Sequence, residues 1–200
     1  MITISDKKLD QHRLEEVAAV LGQAFKGDPL YLAVFQNEKD LCRYIRLMVE
    51  YYNRNGEIHV AVVDEKIVGA SIWNHKGKPF FSIRSVFVSG MIGQIIKFLL
   101  LIQLKSMIRL RNETLITERY HYNQEHHYLF MIGSVYRGAG RALMDYAIEK
   151  FRDCPIYLEN SNIKDNNYFY QRLGFHSIKT IEVLGVLVDL LNNSKGDQIR

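Results

Sequence analysis

Residues 126–150 read HHYLFMIGSVYRGAGRALMDYAIEK, and the chain is organised around them. Tyr128 to Ile132 is a short apolar run with aromatic and β-branched members, the pattern of a buried strand. Gly133 to Arg137 reads as a tight connection. From Gly138 the period turns helical, with Ala142, Leu143, Tyr146, Ala147, Lys150 and Phe151 on or beside one face. The glycines stand where that helix begins. The first N–H groups of a helix lack internal partners and carry the positive end of its dipole. Gly138, Ala139 and Gly140 leave that backbone bare, so several N–H groups can converge on one anion, a phosphate or pyrophosphate being the best match. Arg137 and Arg141 flank the turn and add fixed charge.

A G-x-G alone is weak evidence, because a tight turn feeding a helix uses the same residues. It fits neither common phosphate fingerprint. Leu143 stands where the dinucleotide pattern wants a third glycine, and no Gly-Lys-Ser/Thr closes a P-loop.

The 200 residues have one even texture and a formal net charge of +4. That predicts a single domain spanning residues 1–200. Basic residues gather in Lys97 to Arg111 and around Arg137 and Arg141. A mild, diffuse excess suits a small anionic ligand at least as well as nucleic acid, and no nucleic-acid motif is present. Cys42 and Cys154 are the only cysteines. They suggest neither a disulfide framework nor a zinc site, and a cytoplasmic location is expected. The apolar run Met91 to Leu104 is too short to span a bilayer, which needs about 20 apolar residues.

Taken in order, Asp10 caps a helix with Leu14, Val17, Ala18, Leu21 and Phe25 on its apolar face, ended by Gly27, Asp28 and Pro29. A second helix follows Asn37 and closes at Gly56. Ile58 to Val63 and Ile67 to Trp73 form a hairpin, completing an N-terminal part over 10–75. His75 to Pro79 is a loop. Met91 to Arg111 reads as one long helix with Gln94, Lys97, Lys105 and Arg109 in a polar stripe and Leu101 inside it. Either it packs on the core with one exposed leucine, or it walls a substrate groove or subunit contact. Asn112 to Gln124 is polar and returns the chain to the sheet. Pro155 to Glu159 is a strand, Tyr168 to Leu173 a short helical turn stopped by Gly174, and Phe175 to Ile178 and Glu182 to Leu190 are closing strands. The tail from Asn192 is polar. This order predicts an α/β fold, a mixed sheet with helices on both faces, with Tyr128 to Glu159 a parallel crossover.

Arg137-Gly138-Ala139-Gly140-Arg141-Ala142 resembles the Arg/Gln-x-x-Gly-x-Gly/Ala motif of the GNAT superfamily of N-acetyltransferases. About thirty residues on, Asn166-Asn167-Tyr168-Phe169-Tyr170-Gln171-Arg172-Leu173-Gly174-Phe175 resembles that superfamily's asparagine followed by Phe-Tyr-x-x-x-Gly-Phe. The hairpin VAVVDEKIVGASIW also looks like the one that precedes the core of these enzymes. The likeness runs over about residues 10 to 190, with the cofactor core at 126–178. The segment before Arg137 departs from the family's Gly-Val-x-Pro. Read without a gap, Met131, Ile132 and Ser134 take the glycine, valine and proline places. Alternatively, His126 to Gly133 matches a His-Trp/Tyr-Tyr-Leu…Gly form followed by a shorter loop.

The resemblance implies splayed central strands and acetyl-CoA as cosubstrate, with an amine on a small molecule or peptide as acceptor. Arg137 to Ala142 would hold the pyrophosphate. Phe130, Met131 and Ile132 would pair their backbone with the pantetheine arm. Asn166 would bond that arm, and Tyr170 would be the acid at the leaving sulfur. His127 or Glu125 is a candidate base, with His126, Glu159 and a water chain as other routes. Adjacent strand residues point to opposite faces, so at most one of His126 and His127 is expected to face the cleft. The His121, His126, His127 group lacks a metal-binding spacing, and none is expected to hold a metal. No nucleic acid and no membrane span are expected, and the protein would be a monomer or homodimer. A non-catalytic acyl-CoA-binding module is the alternative.

Overall fold

A computed structural model describes residues 1–77 and 83–194. Lys78 and Pro79 of the expected loop, and the tail from Lys195, lie outside the described residues. In chain order the elements are β1 (Thr3–Ser5), α1 (Gln11–Phe25), α2 (Pro29–Val34), α3 (Glu38–Asn55), β2 (Glu57–Val63), β3 (Lys66–Asn74), α4 (Ile83–Val88), α5 (Ile92–Leu101), α6 (Leu104–Tyr120), β4 (His127–Ser134), α7 (Ala139–Lys150), β5 (Ile156–Asn160), α8 (Ile163–Gln171), β6 (His176–Val183) and β7 (Val186–Asn192).

The strands form one seven-stranded sheet in the order β1-β2-β3-β4-β5-β7-β6. All pairings are antiparallel except β4 with β5, which are joined through α7. Helices cover both faces. A Cβ added at Gly133 of β4 would meet Ala24 and Leu21 of α1, whereas one at Gly69 of β3 would meet Ala139 and Leu143 of α7. The larger core lies under α1 and α3 and takes Ile58, Val60, Ile72 and Met131. The smaller lies under α7 and α8 and takes Trp73, Leu129, Leu158 and Leu191. The first three helices are capped as their sequences require: Asp10, Asp28 and Asn37 each accept from the backbone N–H of the opening turn.

Several boundaries move. Pro29 opens α2 rather than closing α1, the first helical turn being where proline's missing N–H costs nothing. The run from Met91 is two helices, not one. Buried Asp40 of α3 accepts from the N–H of Gln103 at 3.1 Å, and Arg43 donates to the Leu101 carbonyl at 2.8 Å, so α3 fixes a joint between α5 and α6. The joint removes the single polar stripe. The exposure of Ile92, Ile96, Leu99 and Leu100 beside Leu101 likewise rules out one tolerated leucine. Asn112 to Tyr120 continues α6 and is no connector; Thr114 and Thr117 bond back to carbonyls four residues earlier. Strand β4 runs through Gly133 to Ser134, and α8 begins at Ile163. The sequence pattern missed β1 and α4, each too short to show a period.

Gly133 is where strand and helix approach most closely at the site. Its added Cβ would lie 2.6 Å from the Cβ of Ala24, below any real contact. Gly133→Ala is expected to destabilise the protein by about 1–3 kcal/mol through overpacking. Urea unfolding checks it; an unchanged midpoint would mean α1 is not held against β4.

Candidate active site

The site begins where the sheet divides. Strands β4 and β5 pair at His127 with Ile156, Tyr128 with Tyr157 and Leu129 with Leu158, and then part. Beyond that point β4 stays with β3 as far as Ser134, while β5 stays with β7. Strand β4 also bulges there: Ile72 faces Met131 and Trp73 faces Leu129, leaving Phe130 unmatched. A bulge bends its strand and adds twist. It places Tyr128 and Met131 in one core and Leu129 and Ile132 against the other, which strict alternation would not do. Past the division, backbone amides of β4 that a neighbouring strand would have taken face a gap.

Below the gap lies a cavity of about 860 Å³ around the glycine turn, walled by Ser134 to Gly138, Gly140 and Arg141, and by Asn166 and Tyr170 of α8. Gly138 has φ +89°, a conformation that a side chain would strain. No side chain caps α7. Among the described residues nothing in the protein accepts from the N–H of Gly140 or Arg141, while Ala139 and Ala142 donate to Tyr136 and Gly138. A Cβ at Gly140 would meet only Ser134 Oγ, at 3.5 Å, so the space before the helix is open. Arg141 Nε contacts both carboxylate oxygens of Asp145 at 2.8 Å, whereas Arg137 has no ion pair among the described residues. Of the six expected cradle residues, Ala139 and Ala142 do not line the cavity; Ala139 is packed against the sheet.

A second cavity, of about 640 Å³, opens on the other side of the gap. The two share Phe25, Asp28, Ile132, Asn166 and Tyr170. Tyr170 is 6% exposed, and burial, with the nearby charge of Asp28, pushes its phenol far up, so it stays protonated. No hydrogen bond engages its hydroxyl among the described residues. Asp28, which the sequence marks only as a helix breaker, lines both cavities. Its Oδ1 accepts from Leu30 and Tyr31 N–H and its Oδ2 from Ser161. Burial raises its carboxyl above the usual range.

The candidate bases separate. His127 lines neither cavity; it stacks on Phe151 at 4.2 Å and lies 3.4 Å from Asp153, on the α7 side. His126 faces the second cavity, as does exposed Glu125 at its rim. His126 Nδ1 lies 2.6 Å from the Gln124 carbonyl, so that nitrogen carries a proton, and Nε2 is 3.1 Å from His121 Nε2. Burial, with the charges of His121 and His127, lowers its pKa and keeps the ring neutral. His121 in turn lies 3.6 Å from Glu159, which accepts from Tyr157 at 3.0 Å and Tyr128 at 3.3 Å. Glu159 follows Leu158, the last residue of β5 paired with β4, and so stands at the division itself. Among the described residues no group of three His, Cys, Asp or Glu side chains is placed to hold a metal, and no helix is long and apolar enough to cross a membrane.

No protein-family model and no curated protein matches the sequence. Solved structures match it over the whole chain. A crystal structure described as histone acetyltransferase HPA2 and related acetyltransferase, from Corynebacterium glutamicum, superposes with a TM-score of 0.68 at 21% identity, covering 100% of this chain and 99% of that one. An agmatine N-acetyltransferase gives 0.60 at 16% identity, covering 96% and 98%. A GNAT-family acetyltransferase from Bacillus cereus gives 0.52 at 12%, covering 98% of each. The fold is that of the GNAT acetyltransferases. The expected mixed sheet with a parallel central pair is present, and the division between β4 and β5 lies inside that pair.

Proposed function

We propose that the protein is an acetyl-CoA-dependent N-acetyltransferase acting on a primary amine. One observation carries the reading. Two cavities, one floored by a bare helix N-terminus and one lined by carboxylates, meet at Tyr170 and Ile132 beside a divided strand pair. The residues fit the coenzyme: free N–H groups at Gly140 and Arg141 with Arg137 suit a diphosphate, and the β4 backbone suits an amide-bearing arm. Structures of this fold described as acetyltransferases, one of them an agmatine N-acetyltransferase, support it by analogy of fold.

Acetyl-CoA would supply a thioester whose carbonyl carbon is open to attack. The C–N bond forms as the C–S bond breaks. A backbone N–H near Met131 would steady the carbonyl oxygen as charge develops on it. The acceptor must first shed a proton, since an alkyl ammonium has a pKa of about 10.4. Glu159, His121 and His126 form a file of titratable groups from the division to the rim, and we assign them that proton. His127 is too far round the sheet for the task. Tyr170 would donate to the leaving sulfur. Its raised pKa does not disqualify it, because the same dry surroundings raise the thiol. Asn166 would bond the cofactor arm.

Incubation with acetyl-CoA and a panel of primary amines, with release of free thiol followed, tests the reading. Amine-dependent release is expected. Tight coenzyme binding with no release across the panel would leave an acyl-CoA-binding module instead.

A further inference from the structure

The apolar residues of α5 fall at helical spacing on the side turned away from the core. Ile92, Ile96, Leu99 and Leu100, at i, i+4, i+7 and i+8, are all exposed, Leu100 at 79%. The opposite side of the helix is packed inward, with Phe98 buried and Ile95 against the larger core. The helix cannot roll its outer stripe in. Arg43 of α3 donates to the Leu101 carbonyl and Arg54 of α3 to that of Ser89, at 2.6 Å, so α3 grips the segment on either side of α5. The two arginines stand about three turns apart, and α5 lies antiparallel along α3 between them.

The stripe continues on α6. Leu104, Ile108 and Leu115 are exposed at i, i+4 and i+11, with exposed Arg111 at i+7. Glu113 and Thr117, on the other side of that helix, line the 640 Å³ cavity. Helix α4 adds Phe87 and Val88, both exposed. Among the described residues, most of the exposed large apolar side chains lie between Phe87 and Leu115. Single exposed leucines are ordinary on a protein surface; a concentration of this kind marks an interaction surface.

Charge decides what covers it. Residues 83–112 contain Arg84, Lys97, Lys105, Arg109 and Arg111, and neither aspartate nor glutamate. Arg84, Lys97, Lys105 and Arg111 are exposed, and among the described residues none of the four is in an ion pair. A second copy packed two-fold on this face would bring those cations onto themselves, with no acid from the segment to pair them. Nucleic acid would want the cations at the centre, where this face is apolar. Apolar stripes bordered by lysine and arginine suit an anionic bilayer, whose acyl boundary takes the stripe while its headgroups take the cations. We propose that the outer face of α4, α5 and α6 seats the protein on an anionic lipid surface, without crossing it. The inference stands apart from the proposed activity.

The test is co-sedimentation of the whole protein with vesicles of phosphatidylcholine alone or of equal parts phosphatidylcholine and phosphatidylserine. Partition onto the anionic vesicles should exceed that onto the neutral ones at least about tenfold. Raising salt from about 0.1 M to about 1 M, which shortens the screening length from about 10 Å to about 3 Å, should weaken it. Ile96→Ser with Leu100→Ser should lower partition at least about tenfold by removing the inserted side chains. Lys97→Glu with Lys105→Glu should lower it at least about 25-fold, about fivefold for each cation lost. All four positions are exposed, and thermal melting checks that each variant keeps the fold. Equal partition onto the two vesicles overturns the proposal, as does anionic binding that survives either variant. No association with either vesicle, from a protein that is monomeric by ultracentrifugation, overturns it in favour of a protein partner. A dimer that Ile96→Ser with Leu100→Ser dissociates overturns it in favour of a second copy.

Discussion

Gly140→Asp is expected to abolish measurable acetyl-CoA binding while the protein stays folded. The space before α7 accepts a side chain without collision, since the nearest atom to the new Cβ is Ser134 Oγ at 3.5 Å. The change is therefore electrostatic rather than steric. A carboxylate at the positive end of a helix would even steady the empty fold. Where the diphosphate is proposed to sit, the same carboxylate would meet like charge in a partly desolvated turn, at a cost of several kcal/mol, or about 100-fold or more in Kd. Calorimetric titration with acetyl-CoA, alongside thermal melting, separates the two effects. An affinity equal to the wild type's would remove the glycine turn from the coenzyme site. Loss of affinity together with loss of the melting transition would be a folding effect and would call for Gly140→Ala as the milder control.

Tyr170→Phe should lower kcat about 100-fold, the low end of what a positioned proton donor contributes, and leave the Kd for acetyl-CoA nearly unchanged. The ring keeps its place, because its packing on Phe169 and Phe175 does not involve the hydroxyl. Only the donor is lost. A core aromatic of no chemical consequence would give a wild-type rate at every pH, and that result would strike Tyr170 from the mechanism. A loss of coenzyme affinity matching the loss of rate would make it a binding group instead.

The parts of the molecule written in local geometry could be read from the chain. Gly138 stands where φ is positive, and Gly174, φ +85°, where the chain turns away after α8. Each is a demand on one or two residues, so spacing alone reports it. What could not be read was made by partners far along the chain. The joint between α5 and α6 depends on Asp40, 63 residues before the Gln103 N–H it accepts from. Apolar residues continue through the joint, so no change of period marks it. Glu113 sits in a polar stretch that looked like a connector. Its polarity marks a helix face turned to a cavity, and the recurrence of Glu113, Thr114, Thr117 and Glu118 at helical intervals was the signal available. The choice between His126 and His127 needed the cavity itself: alternation said that at most one would face the cleft, and His126 lines it while His127 stacks on Phe151.

The parting of β4 and β5 puts an open strand edge in the middle of a sheet. Such edges usually lie at the rim, where charge or a short length discourages stray chains from adding on. On the proposed function, this one cannot be guarded that way without blocking the seat proposed for the coenzyme. If coenzyme A fills that gap, a molecule without it would carry an open edge through its centre, for which an extended peptide could compete. Solubility on heating, and recovery from heat, should track the supply of coenzyme A in the medium.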